Sequence, residues 1–109
     1  MVKPFKINFS SQTIENIYSK VKKYPWNKMP NVDGWKHGTN FTYMKKISDY
    51  WIKDFNWKKY EEKINKFSNF ITKVDDLDIH FIQEKGSGPS PTPLLIMHGW
   101  PGSIIEFLH

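Results

Sequence analysis

Leu94-Leu95-Ile96-Met97-His98-Gly99-Trp100-Pro101-Gly102-Ser103 is the stretch on which the fold turns. Its uninterrupted apolar opening, Leu94 to Met97, suits a β-strand covered on both faces, as in parallel sheets flanked by helices. Two glycines and a proline then let the backbone turn sharply, and Ile104, Ile105, Phe107 and Leu108 begin another helix. Strand, tight turn and helix in that order predict an α/β fold, and open α/β sheets hold ligands beyond the carboxyl ends of their central strands. A main-chain amide aimed into such a crevice donates to an oxyanion without adding a titrating group. A strand-to-helix turn of no chemical importance fits His98, Gly99, Trp100 and Pro101 equally well.

Upstream lies a flexible Gly/Pro/Ser stretch from Gly86 to Pro93, the one compositionally biased segment, and there is no internal repeat. Before it, Phe70, Thr72 and Val74 alternate with Ile71 and Lys73, while Leu77, Ile79 and Phe81 alternate with Asp78, His80 and Ile82. With Asp75 and Asp76 as the turn between them, these runs predict a hairpin. A strand buried on both faces needs parallel neighbours and helices on each side, yet the sequence stops at His109 inside its next helix. The expectation is therefore a fragment or truncated product: a helical segment followed by the opening strands of an α/β sheet.

The first 66 residues read as helical. Ser10 and Ser11 offer N-cap oxygens to a helix whose apolar face is Ile14, Ile17, Tyr18 and Val21. Lys20, Lys22 and Lys23 suit its negative carboxyl end, and Pro25 stops it. Residues 24–40 carry Pro25, Pro30, Gly34 and Gly38 and predict an ordered meander pinned by Trp26, Met29 and Trp35. A second helix is expected from about Thr42, packing through Met44, Ile47, Trp51 and Phe55, and a third, capped by Asn56, through Trp57, Tyr60 and Ile64.

The chain has 109 residues, enough for one modest domain or part of a larger one, which excludes two independent catalytic domains. Five Trp and eight Phe argue against intrinsic disorder. Without cysteine, disulfides, thiolate metal sites and cysteine nucleophiles are excluded within these residues. Residues 1–66 hold 14 Lys against 6 acids and residues 67–109 hold 2 Lys against 5, so the basicity belongs to the first part. Every cation is Lys, and the absence of Arg argues against base-specific nucleic-acid recognition. No run approaches the roughly 20 apolar residues needed to span a bilayer. The four histidines show no i, i+4 pair and no acidic cluster, so no metal site and no cofactor are expected. His80, on the hairpin, reads as a partly exposed structural residue, and His37 as a loop residue. The apolar stripes read as packing faces.

Pro4-Phe5-Lys6-Ile7, Pro25-Trp26, Gly34-Trp35-x-x-Gly38, Tyr50-Trp51, Phe55-x-Trp57, Ile79-His80-Phe81 and His98-Gly99-Trp100-Pro101-Gly102-Ser103 together resemble the N-terminal region of microsomal-type epoxide hydrolases, including insect juvenile hormone epoxide hydrolases. The resemblance implies a truncated α/β-hydrolase. Residues 1–66 would be a Trp-rich helical leader, and residues 67–109 the first three strands and oxyanion-hole loop of an incomplete core. In that family an Asp nucleophile opens the epoxide with support from two lid tyrosines, and a His paired with an acid activates water against the ester intermediate. By resemblance, Trp100 donates its backbone amide to the oxyanion of that second step. His98 and Gly99 shape the loop, Pro101 fixes it through a cis Trp100–Pro101 bond, and the Trp100 indole lines the pocket. The resemblance further implies a lipophilic epoxide substrate in the complete enzyme, roles in detoxification or juvenile hormone catabolism, and residence at the endoplasmic reticulum membrane. Animal members carry a membrane anchor upstream of this region.

The nucleophile elbow of the family has no counterpart in these residues, since no Gly-x-Asp or Gly-x-Ser-x-Gly segment occurs. The lid tyrosines and catalytic His also lie beyond this stretch, so Tyr18, Tyr24, Tyr43, Tyr50, Tyr60 and His109 take no such role. The 109-residue chain is accordingly expected to be inactive by itself. Two other readings stay open: a piece of an α/β-hydrolase esterase, and a noncatalytic interaction or structural module derived from a hydrolase. The lysine excess is either ordinary solvation or a sign of contact with an anionic membrane surface. Oligomeric state is not legible.

Overall fold

A computed structural model describes residues 1–30, 32 and 34–108. The chain divides into two compact units, Phe9–Trp57 and Met1–Asn8 with Lys58–His109.

The unit Phe9–Trp57 holds helices α1 (Ser11–Lys22) and α2 (Phe41–Lys53), with a 3-10 turn at Trp26–Lys28 between them. α1 starts where its cap predicts: the Thr13 amide donates to Ser10 Oγ at 3.1 Å. α2 starts one residue before the expected Thr42, because Asn40 Oδ1 accepts the Tyr43 amide at 2.9 Å. α1 and α2 touch, and the buried residue of α2 is the small Ser48. The Tyr18 hydroxyl donates to the Phe55 carbonyl at 2.7 Å, fixing α1 to the end of α2. Within the meander, Trp26 is half-buried between Tyr24 and Phe41, at ring separations of 4.6 and 5.8 Å.

Two expectations about this unit need correction. Trp35 was expected to be withdrawn from water, yet it is 61% exposed, with its ring 5.2 Å from that of Tyr43. The stripe Met44, Ile47, Trp51 was expected to be a packing face, yet each member is about 40% exposed. Helical periodicity finds the apolar side of a helix correctly, but that side is only partly covered here, with Trp51 walling a cavity beside Ile14, Ile17 and Tyr18 of α1 and Met44 bordering the meander.

The other unit contains α3 from Lys58 onward (the whole helix is Trp57–Ile64) and an antiparallel sheet in the order β1 (Lys3–Pro4), β2 (Asn69–Val74), β3 (Leu77–Ile82). The hairpin forms as expected, with Phe70 paired to Phe81 and Val74 to Leu77. Asp75 and Asp76 both adopt positive φ, 47° and 65°, the conformation of a type I′ turn, whose twist matches that of the flanking strands. Asp tolerates that region because its short side chain bonds locally. β1 was not anticipated. It is two residues long, and Lys3 and Pro4 pair with Ile71 and Phe70. The Phe5 amide continues that edge by donating to the Asn69 carbonyl at 2.9 Å.

Asparagines hold this unit together. Asn65 Oδ1 accepts the Ile7 amide at 2.9 Å and its Nδ2 donates to the Ile7 carbonyl at 2.7 Å, a two-bond clamp across 58 residues of chain. Asn69, 5% exposed, donates to the carbonyls of Ile64 and Phe67 at 2.9 and 2.7 Å, and its Oδ1 lies 2.9 Å from His80 Nε2. With both amide hydrogens spent on carbonyls, Oδ1 accepts and the imidazole donates. Ile64, 4% exposed, is the buried apolar residue beside this bracket.

His80 is thus structural, half-buried under Phe5 at 5.3 Å. Burial pushes its pKa below the ordinary 6.5. The cost of charging falls on the folded chain alone, so the unfolded chain binds the proton more tightly. Stability is then full above pH 6.5 and declines as the pH falls from there toward the lower folded value. Urea midpoints at about pH 7.5 and about pH 5.5 are expected to show this decline, and His80→Gln is expected to reduce it. An equal decline in the variant would assign the effect to other groups.

The fold class agrees with expectation, but the third strand does not lie where the apolar run placed it. Leu94 to Met97 form no strand and are 53 to 83% exposed. A strand exists only through a neighbour's hydrogen bonds, and no neighbour runs beside these residues among those described. The segment after them forms a short 3-10 helix, Ile104–Phe107. The position of His109 lies outside the described residues.

Candidate functional site

The loop from His98 to Ser103 is an ordered turn. The Gly102 amide donates to the Gly99 carbonyl at 2.6 Å, and the Trp100–Pro101 peptide bond between them is cis, as expected from the resemblance. A four-residue turn with cis proline at its third position is type VI. Beyond it, Ser103 caps the 3-10 helix: the Ile105 amide donates to Ser103 Oγ at 3.3 Å, and Glu106 Oε1 accepts the Ser103 amide at 3.2 Å. A Cβ at Gly102 would run into the Glu106 carboxylate and approach the Gly99 carbonyl oxygen to 3.0 Å, so a larger residue there would displace the capping side chain.

Among the described residues, no acceptor takes the Trp100 amide, while the amides of Gly102, Ser103 and Ile105 are all engaged. The Trp100 side chain is 98% exposed, and His98, Gly99 and Pro101 are exposed too. His98, Gly99, Trp100 and Pro101 therefore form one continuous surface turn on which the amides of His98, Gly99 and Trp100 have no acceptor among the described residues. The Trp100 indole stands in solvent.

Ser103 and Glu106 were overlooked as parts of this site, although Ser-x-x-Glu is a legible capping signature. They do no chemistry on a ligand. Their bonds hold the residue after the turn and so set the direction of the backbone that carries the Trp100 amide.

Within the helical unit, a cavity of about 230 Å³ is walled by Phe9, Ile14, Ile17, Tyr18, Trp51, Phe55 and Trp57. The Tyr18 hydroxyl is already bonded to the Phe55 carbonyl, and the other lining side chains are hydrocarbon or indole, so the cavity offers mainly apolar packing. A second hollow of about 300 Å³ lies between the meander and α2, bordered by Trp26, Met29, Phe41 and Met44.

Residues 2–107 match the family model described as epoxide hydrolase N terminus. The chain is 38% identical to Epoxide hydrolase 1 of Sus scrofa, over 97% of its own length and 24% of that protein. It is 35% identical to Juvenile hormone epoxide hydrolase 1 of Ctenocephalides felis, again over 97% of itself and 24% of the relative. In structure it superposes on the juvenile hormone epoxide hydrolase of the silkworm Bombyx mori with a TM-score of 0.83 at 30% identity, covering 97% of this chain and 26% of that one. The chain thus spans about a quarter of the length of these relatives. Its helices and opening strands are those of an α/β-hydrolase, and the chain belongs to the epoxide hydrolase N-terminus family.

Proposed function

We propose that this chain supplies the oxyanion-hole loop and a structural leader to an epoxide hydrolase that converts lipophilic epoxides to vicinal diols through an Asp-ester intermediate. The observation that carries this reading is the Trp100 amide, which no described residue accepts, on an exposed turn closed by the Gly102-to-Gly99 hydrogen bond. A backbone donor held in this way needs no reorganisation when negative charge develops on the ester oxygen. His98 and Gly99 give the loop its shape and Pro101 its direction. Residues 1–66 act as leader and residues 67–109 as the opening of the catalytic core. This functional division differs from the packing division at 8/9 and 57/58. The nucleophile, the general base and the lid tyrosines come from outside these residues.

The substrate class follows that of the relatives, which are named as epoxide and juvenile hormone epoxide hydrolases. The same likeness supports association with the endoplasmic reticulum membrane. No helix among the described residues is long and apolar enough to cross a bilayer, so these residues would meet that membrane at its surface.

Two measurements test the reading. The purified 109-residue chain is expected to give no epoxide turnover above the uncatalysed rate, because an oxyanion donor without a nucleophile cannot form the ester. Measurable diol formation would overturn it. Reading the transcript past codon 109 decides the reaction: an Asp at the strand-to-helix elbow supports epoxide opening, whereas a Ser there would make the parent an esterase.

A further inference from the structure

The outward side of α2 carries a stripe that neither the loop nor the cavities explain. Tyr43, Lys46, Ile47, Tyr50 and Lys53 recur at spacings of three and four residues and so share one side of the helix. Tyr43, Ile47 and Tyr50 are 47, 40 and 51% exposed, and the exposed Trp35 extends the patch by lying against Tyr43. Lys36, Lys46 and Lys53 are exposed and form no ion pair among the described residues. Asp49, three residues after Lys46 and four before Lys53, borders the stripe on its lysine side, and Asp54 caps the helix at its carboxyl end.

We infer that this side of α2 rests on an anionic lipid surface, with Trp35, Tyr43, Ile47 and Tyr50 at headgroup depth and the three lysines against lipid anions. Aromatic rings with an apolar body and a polar tip are the side chains that settle at a membrane–water interface. Interleaved lysines favour lipid over protein as the occupant, because protein interfaces are depleted in Lys, while a lipid surface lets the long stem lie along the apolar layer and its ammonium reach phosphate. The surrounding charge agrees: residues 1–66 carry 14 Lys against 6 acids. The inference rests on the membrane association proposed above and is independent of the oxyanion reading.

Flotation of the 109-residue chain with vesicles of phosphatidylcholine alone, or with about 30% phosphatidylserine added, tests it. The chain is expected to float with the anionic vesicles only, and progressively less as salt is raised. Lys46→Gln/Lys53→Gln should lower the partition coefficient about 25-fold, at roughly fivefold per lysine. Tyr43→Ser/Tyr50→Ser should lower it at least about tenfold through lost interfacial burial. Lys22→Gln/Lys66→Gln, which removes the same charge elsewhere, should change it less than about threefold. Circular dichroism of each variant confirms that the helices persist. If the chain binds and the α2 variants bind equally well, this face is not the contact, although membrane association survives. If the chain binds neither vesicle, both fail. A chain that ignores vesicles but forms a dimer broken by Tyr50→Ser would show that a second copy covers the face, which also overturns the inference.

Discussion

Trp100→Pro in the complete hydrolase is expected to slow breakdown of the ester intermediate by about 10²–10³-fold, the usual loss when one oxyanion donor is removed. Proline takes away the free N–H, and its ring also adds a carbon at that nitrogen and fixes φ. It replaces the indole too, so Trp100→Ala is the matching control: it keeps the amide and should leave the hydrolytic step within a few-fold, with any effect falling on KM. Rapid-quench experiments separate the two steps, since the ester should form at an unchanged rate in the proline variant and then accumulate. Steady-state turnover within about threefold of wild type in Trp100→Pro would remove the amide from the mechanism. The Ser103–Glu106 cap lies beyond the substituted residue and keeps its own hydrogen bonds, whereas the Gly99 carbonyl that accepts the Gly102 amide is joined to the substituted nitrogen.

Asn69→Ala is expected to cost about 2–3 kcal/mol of stability, from three hydrogen bonds each worth roughly 1 kcal/mol net and the carbonyls left behind. The side chain is 5% exposed and ties the end of α3, the following turn and β3 to one another. Asn69→Asp should cost more at neutral pH. A carboxylate cannot donate to the Ile64 and Phe67 carbonyls, and it would be buried facing two acceptors. Urea unfolding followed by far-ultraviolet circular dichroism measures both. A cost below about 0.5 kcal/mol for the alanine variant would mean that water replaces the bracket without penalty. The effect matters because Ile64 is the apolar residue buried at this point, so little hydrophobic burial stands in reserve.

The locally encoded features were the readable ones. α1 could be placed because Ser10 and the Ile14, Ile17, Tyr18, Val21 spacing both act within one or two turns of chain. The hairpin could be placed because Asp75-Asp76 suits positive φ and period-two alternation flanks it. The turn at Gly99–Gly102 was legible for the same reason, since glycine and proline restrict the backbone where they stand. β1 was missed because two residues carry no periodicity, and their status depends on a partner 66 to 68 positions away. Asn65 and Asn69 carry no local signal in the sequence, because a buried amide is recognised by the carbonyls it reaches, and those are set by packing.

The amino-acid sequence alone determined where the helices begin, where the hairpin reverses and that a rigid turn follows Met97, because capping oxygens, side-chain spacing and restricted φ act over a few residues. Only the tertiary structure decided that Asn69 is the bracket of its unit, that Leu94 to Met97 stand exposed, that the Trp100 amide is left without an acceptor and that one side of α2 faces outward. Burial and hydrogen-bond satisfaction are properties of pairs of surfaces, and the second surface is not written beside the first.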